Sequence, residues 1–311
     1  MSKLEIRPFN DYWLNCTFNN FFSILTSYKK EYSELAYLNC YTYEAYNEWC
    51  PKHITINNFG QIQKDTFSKM LSETFFSYEY SEYGVKKIID LLDTNNILIR
   101  VDLFNWLPNS PSWHIVHNYH VSLLIGYNKF ENTFIVIDDD NMGYGIRTIP
   151  YDRFISCIKD EAGKISGSII EICDDVEYEL NMNDVLYNAE VLSENLKVFL
   201  DEDDFWSVQK DENGEDLYKY YAFELFKVKN RHIANLSLMN CLFDKHYISR
   251  DELTQMEIIF VELIEEWDTI KNIFMKHSYS SSQIDIKKMN KMKRRCINKE
   301  LEIWERVRLL K

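Results

Sequence analysis

The sequence predicts an α+β protein: helices followed by an antiparallel sheet in the first part, then an all-helical C-terminal domain. Three observations carry this. Helical spacing dominates the first ninety or so residues and dense β-branched runs follow, in blocks rather than in alternating strand–helix–strand units. All five prolines lie at or before Pro150, and seven of the eight glycines lie at or before Gly167. Beyond about residue 182 the chain is nearly free of both breakers, and its apolar residues recur at i, i+3 and i+4. The expected domains are therefore 1–178 and 179–311.

In chain order, residues 1–15 are irregular, with Pro8 and the Asn10-Asp11 pair. Helical spacing begins near Cys16, where Phe18, Phe21, Phe22, Ile24 and Leu25 share a face. Residues 31–50 read as a second helix or two short helical pieces, ended by Pro51. ITINNFGQI reads as a short strand or loop, and DTFSKMLSETF as a short helix capped by Asp65. SEYGVKKIIDLL is helical in period, and NNILIRVDLF is a strand. A loop with two prolines follows, then strands at 119–127 and 133–138. GIRTIPYDRF reads as a strand running into a short helix, and SGSIIEIC as the last strand. Four long helical segments follow, beginning at LYNAEVL, YYAFELF, LTQMEII and DIKKMNK; residues 201–216 form an acidic connector.

The formal net charge of −14 argues against a general nucleic-acid binder, because phosphates would be repelled, and gives no support to an anionic-membrane role. Seven cysteines, an odd number with no Cys-x-x-Cys pair, argue against a disulfide framework or a structural zinc site and for a reducing cytoplasm. The N-terminus lacks the apolar core of a signal peptide, and no run is long enough to span a bilayer. A soluble cytosolic protein is expected, with no cofactor and no resident metal.

The chemistry concentrates in Val101–Asp140, which holds His114, His117 and His120. His120 opens an apolar strand, and Asp138 closes the next one. Eighteen residues separate them, enough for a hairpin that sets an orienting carboxylate beside an imidazole base. Asp139 should face away by strand alternation. Cys16, at a predicted helix N-terminus, completes a thiol triad: the helix end favours a thiolate, and Cys-then-His-then-Asp is the chain order of papain-type enzymes. The plainer alternatives are a small buried cysteine and a solvated acidic turn. His117 is the alternative base. A tri-histidine zinc site is disfavoured, because a spacing of three on a strand alternates faces. Asn10 and Asn15 are candidates to assist the Cys16 N–H in holding an oxyanion, or simply to shape the turn. The basic run KKMNKMKRR at 287–295 is either a solvated helix face or a docking patch for an acidic partner such as a carrier protein.

At these residues the chain resembles the butirosin-biosynthesis protein H family. The matching elements are Val101-Asp102, the Leu107-Pro108 loop, His117 with His120, Gly126-Tyr127 closing an apolar strand, Val136 with Asp138, and Cys16 ahead of an apolar helix. Asp139 stands where the family usually has proline, and Asn10 where papain-like enzymes commonly have glutamine. The resemblance implies a papain-like catalytic domain over 1–178, a helical domain over 179–311, and the catalytic set Cys16, His120, Asp138 and Asn10. It further implies transfer of an acyl or aminoacyl group from an acyl or peptidyl carrier-protein thioester to a small-molecule amine, in secondary-metabolite biosynthesis. A cysteine peptidase or amidase with the same triad, and a non-catalytic papain-fold binding or scaffold protein, are the alternatives. The aromatic-rich helical tail could bury a homodimer surface.

Overall fold

The computed structural model describes residues 5–38, 40–47, 50–58, 61–160, 162–173, 177–201, 206, 210, 217–280 and 284–310. The protein is mixed α/β, with a six-stranded antiparallel sheet and long C-terminal helices. It divides into two compact units, one formed by 1–33 and 66–178 and the other by 34–65 and 179–311. The expected continuous stretch 1–178 is thus interrupted: residues 34–65 belong to the helical unit.

The first unit holds α1 (Cys16–Tyr28), α4 (Glu82–Leu92), α5 (Tyr151–Cys157) and the sheet. Its strands are β3 (Leu71–Glu79), β4 (Asn96–Asp102), β5 (Tyr119–Asn128), β6 (Thr133–Asp140), β7 (Gly143–Pro150) and β8 (Lys164–Ile172). Their order is β3-β8-β4-β5-β6-β7, and every pairing is antiparallel. Alternation along β4 sends Ile97, Ile99 and Val101 into a core with Val85, Ile88, Trp106, Val136 and Phe154. Each such buried side chain contributes roughly 1.5–3 kcal/mol. Leu98 and Arg100 point to the other face. At that face α1 packs against β5 and β6, and the Asn20 amide donates to the Val121 carbonyl at 3.3 Å.

One expectation is corrected here. The helix predicted from DTFSKM is real as part of α3 (Gln61–Met70), but LSETF opens the edge strand β3 instead of continuing it. Leu71 to Glu79 pairs residue for residue with Ile172 to Lys164, so partnered hydrogen bonding overrides the local helical spacing.

The segment 31–50, expected as one helix or two short helical pieces, begins as a short 3₁₀ turn (Lys30–Tyr32) that ends the first unit's N-terminal stretch, followed by α2 (Ser33–Leu38), which lies in the second unit from Glu34 on. Thereafter β1 (Tyr41–Asn47) and β2 (Cys50–Asn58) form an antiparallel hairpin. Tyr41 and Tyr43, two residues apart, are both buried, which is a strand's period and not a helix's. The Asn195 side chain bonds both the N–H and the C=O of Tyr43, at 2.7 and 2.9 Å, and so satisfies this strand's backbone. The four long helices are α6 (Met182–Asp201), α7 (Tyr218–Asp244), α8 (Arg250–His277) and α9 (Ile286–Val307). Ser249 and Glu252 form a capping box at the start of α8. Met289, Lys293, Cys296, Glu300, Ile303 and Val307 are buried on one stripe of α9. Lys287, Lys288 and Lys291 lie on its exposed side. The acidic connector at 201–216 falls mostly outside the described residues. No helix among the described residues is long and apolar enough to cross a membrane.

Candidate active site

Cys16 is the first residue of α1. The helix starts there because the Asn15 side chain caps it, accepting from the Phe18 N–H at 2.9 Å. One turn along, Asn19 ties down the preceding loop: it accepts from the Leu14 N–H at 2.8 Å and donates to the carbonyls of Tyr12 and Phe9. The irregular stretch before Cys16 is thus held by a buried amide. Its capping residue is Asn15, whose Oδ1 is taken by the helix end.

His120 lies on β5 opposite Val101. The β5–β6 register pairs Leu123 with Ile137, and continuing it sets Asp138 opposite Ser122, two residues from His120 and on the same side. His120 Nε2 and Asp138 Oδ1 are 2.7 Å apart. Asp138 is only 2 % exposed and is anchored from two further directions. Trp106 Nε1 donates to its Oδ2 at 2.6 Å, and the Asp139 N–H donates to its Oδ1 at 2.8 Å. Because Nε2 is taken by the carboxylate, Nδ1 is the atom left to serve the thiol, and Cys16 and His120 are close enough that each shifts the other's pKa.

The electrostatics favour an ion pair. Burial pushes the Cys16 thiol up, but the bond and charge of His120, with help from Thr17, outweigh it and set the thiol below its ordinary value. Burial alone would lower His120; the charge and hydrogen bond of Asp138, and then Cys16, raise it well above an ordinary imidazole. Burial opposes ionisation of Asp138 too, yet His120, Trp106 and the Asp139 N–H hold its carboxyl below the ordinary range. Cys16 leans to thiolate, His120 to imidazolium and Asp138 to carboxylate. The other cysteines with resolved shifts, Cys40, Cys157, Cys241 and Cys296, are all pushed up by burial.

The remaining histidines go elsewhere. His117 Nδ1 bonds Asp102 Oδ2 at 2.6 Å with the ring 68 % exposed and stacked on Phe104. His114 stacks between Trp113 and Phe104. The three do not converge on a metal position; the one group of potential ligands among the described residues is His120, Asp138 and Asp139. Asp139 does not face away as strand alternation predicts. Its carboxylate lies 3.8 Å from His120 Nε2, and burial, then the neighbouring Asp138 charge, raise its pKa. Asn10 is exposed and bonds no described residue, so nothing holds its amide at the site.

Sequence reasoning missed Trp106, Asn20 and Tyr144. The Tyr144 hydroxyl donates to Asn20 Oδ1 at 2.7 Å and lies 3.1 Å from Ser23 Oγ, locking α1 to β7 beside the site. An indole in a proline loop was the one available signal for Trp106. No protein-family model matches the chain, and no curated protein matches it.

Proposed function

We propose that the first unit is a papain-like thiol enzyme that transfers an acyl group from a carrier-protein thioester to an amine. The observation that carries the reading is the partly buried relay of Cys16, His120 and Asp138, with the acid fixed by Trp106. A doubly anchored carboxylate fixes the ring's tautomer and orientation, which a thiol nucleophile requires and a merely structural cysteine does not.

The steps follow from the protonation states. The Cys16 thiolate attacks the thioester carbonyl carbon, and the oxygen becomes an oxyanion. The amides of Cys16 and Thr17, the first two of α1, have no acceptor among the described residues and can receive that charge. The intermediate collapses, the carbonyl–sulfur bond to the donor breaks, and His120 gives its proton to the departing thiolate. The amine then attacks the Cys16 acyl carbon. His120 takes the amine's proton as the Cys16 thiolate leaves, which restores the ion pair.

The test is acylation. With a model thioester, Cys16→Ala should lose transfer entirely, and iodoacetamide should label Cys16 ahead of the other six cysteines. Full activity in that variant ends the proposal. An amidase or peptidase would use the same residues, and product analysis separates them: amide product with an added amine marks a transferase, free acid a hydrolase. A binding protein with the same fold would show no preferential labelling of Cys16.

A further inference from the structure

We propose that the groove beside Cys16 is the acyl-chain subsite, and that it selects an acyl group whose far end carries a protonated amine. This rests on the thiol-enzyme reading above.

The groove has a volume of about 300 Å³ and opens on the sheet face that carries Leu98 and Arg100. Thr17, the residue after the nucleophile, lines it. Leu98 and Val121 form an apolar floor, and Phe75, 77 % exposed, forms the far wall on the edge strand β3. An apolar chain running from a carbonyl at Cys16 would lie on this floor.

The two ends differ in charge. Arg100 pairs with Val121 in the β4–β5 register, so it stands at the nucleophile's end. Its guanidinium lies over the Tyr119 ring, 4.7 Å from the centroid. Glu73 stands at the other end, opposite Ile170, while Leu98 is opposite Ser168. Arg100 and Glu73 are thus four residues apart along the sheet and two strands apart across it. That is roughly 16 Å between α-carbons. Ser168 Oγ donates to Glu73 Oε1 at 2.6 Å and orients the carboxylate. Glu73 has no cationic partner among the described residues. Glu73 accepts a cation at the far end, which gives the bound chain one direction. A terminal carboxylate is repelled by Glu73.

Acylation of Cys16 by N-acetylcysteamine thioesters tests this by mass spectrometry. In this step the donor's carbonyl–sulfur bond breaks, the bond to Cys16 Sγ forms, and the released thiol takes its proton from His120. The ω-aminohexanoyl thioester should acylate about fivefold faster than the hexanoyl thioester, the size expected of a partly exposed charge pair. Glu73→Gln should erase that preference, bringing the ratio of the ω-aminohexanoyl rate to the hexanoyl rate to about one. Glu73→Lys should transfer the preference to the adipoyl thioester. Equal rates in the parent protein, or a preference that survives Glu73→Gln, overturn the subsite. A binding experiment separates this from failure of the enzyme reading. In Cys16→Ala protein, hexylamine should shift the amide resonances of Ser168 and Val121, and hexanoate should not. Amine binding without any acylation removes the thiol-enzyme reading and keeps the cation-selective groove; no amine binding overturns the groove itself.

Discussion

Trp106 Nε1 and Asp138 Oδ2 are joined by a buried 2.6 Å hydrogen bond, so an indole on a proline loop holds the carboxylate that holds His120. Trp106 is fully buried in the sheet's core, which makes the loop's position and the acid's position one property. Trp106→Phe keeps most of the ring and removes the donor. It should cost about 1–3 kcal/mol, because a buried carboxylate oxygen loses its partner. Urea unfolding checks the stability. The rate of Cys16 alkylation against pH checks the relay, and its midpoint should move up.

Asp138→Asn should act more strongly on the same profile. Without the carboxylate, His120 loses the cause of its raised pKa and no longer supports a thiolate. Acyl transfer should fall by a factor on the order of 10² or more. A fall of less than threefold would mean the acid does not orient the base.

The Asp138–His120 pair also sets a stability window. Asp138 is depressed, so its contribution is complete above the ordinary 3.8 and is lost as pH falls through its folded value. His120 is raised, so its contribution is complete below the ordinary 6.5 and is lost as pH rises through its folded value. The stability gap between the parent protein and Asp138→Asn should therefore be widest between pH 3.8 and 6.5 and shrink on both sides. Chemical denaturation across pH reads it directly.

His117→Ala should leave Cys16 alkylation and acyl transfer within about twofold, since its exposed ring bonds Asp102 and not the Cys16–His120–Asp138 relay. A loss comparable to that of His120→Ala would make His117 the base instead.

Glu300 predicts a second pH effect, in the helical unit. It is fully buried, and burial raises its carboxyl to about 7, while Tyr41, Tyr43 and Trp304 donate to its oxygens. A raised carboxyl stabilises the fold fully below the ordinary 4.5, and that contribution is lost as pH rises through about 7. Glu300→Gln keeps an acceptor for the tyrosines and removes the titration. The parent protein should lose about 3 kcal/mol more than this variant between pH 4.5 and 7, measured by urea unfolding.

Much of the sheet could be read locally. β4, β5, β6, β7 and β8 announce themselves by β-branched runs between turns, and α6 to α9 by a sustained helical period. The hairpin of β1 and β2 could not. Its tyrosines and glutamates fit either period, and burial of Tyr41 and Tyr43 against residues of α7 and α9 decides for strand. Likewise LSETF becomes a strand because β8 offers it a partner.

The sequence by itself determined the mix of sheet and C-terminal helices, the helix beginning near Cys16, and the eighteen-residue spacing that lets His120 and Asp138 share a hairpin. These are properties of period and neighbours along the chain. The tertiary structure alone decided that His117 serves Asp102, that Asp139 turns back toward His120, and that residues 34–65 join the helical unit. It also supplied Trp106 to Asp138 and Tyr144 to Asn20. Each of these joins residues from separate elements, and only packing brings such residues within hydrogen-bond reach.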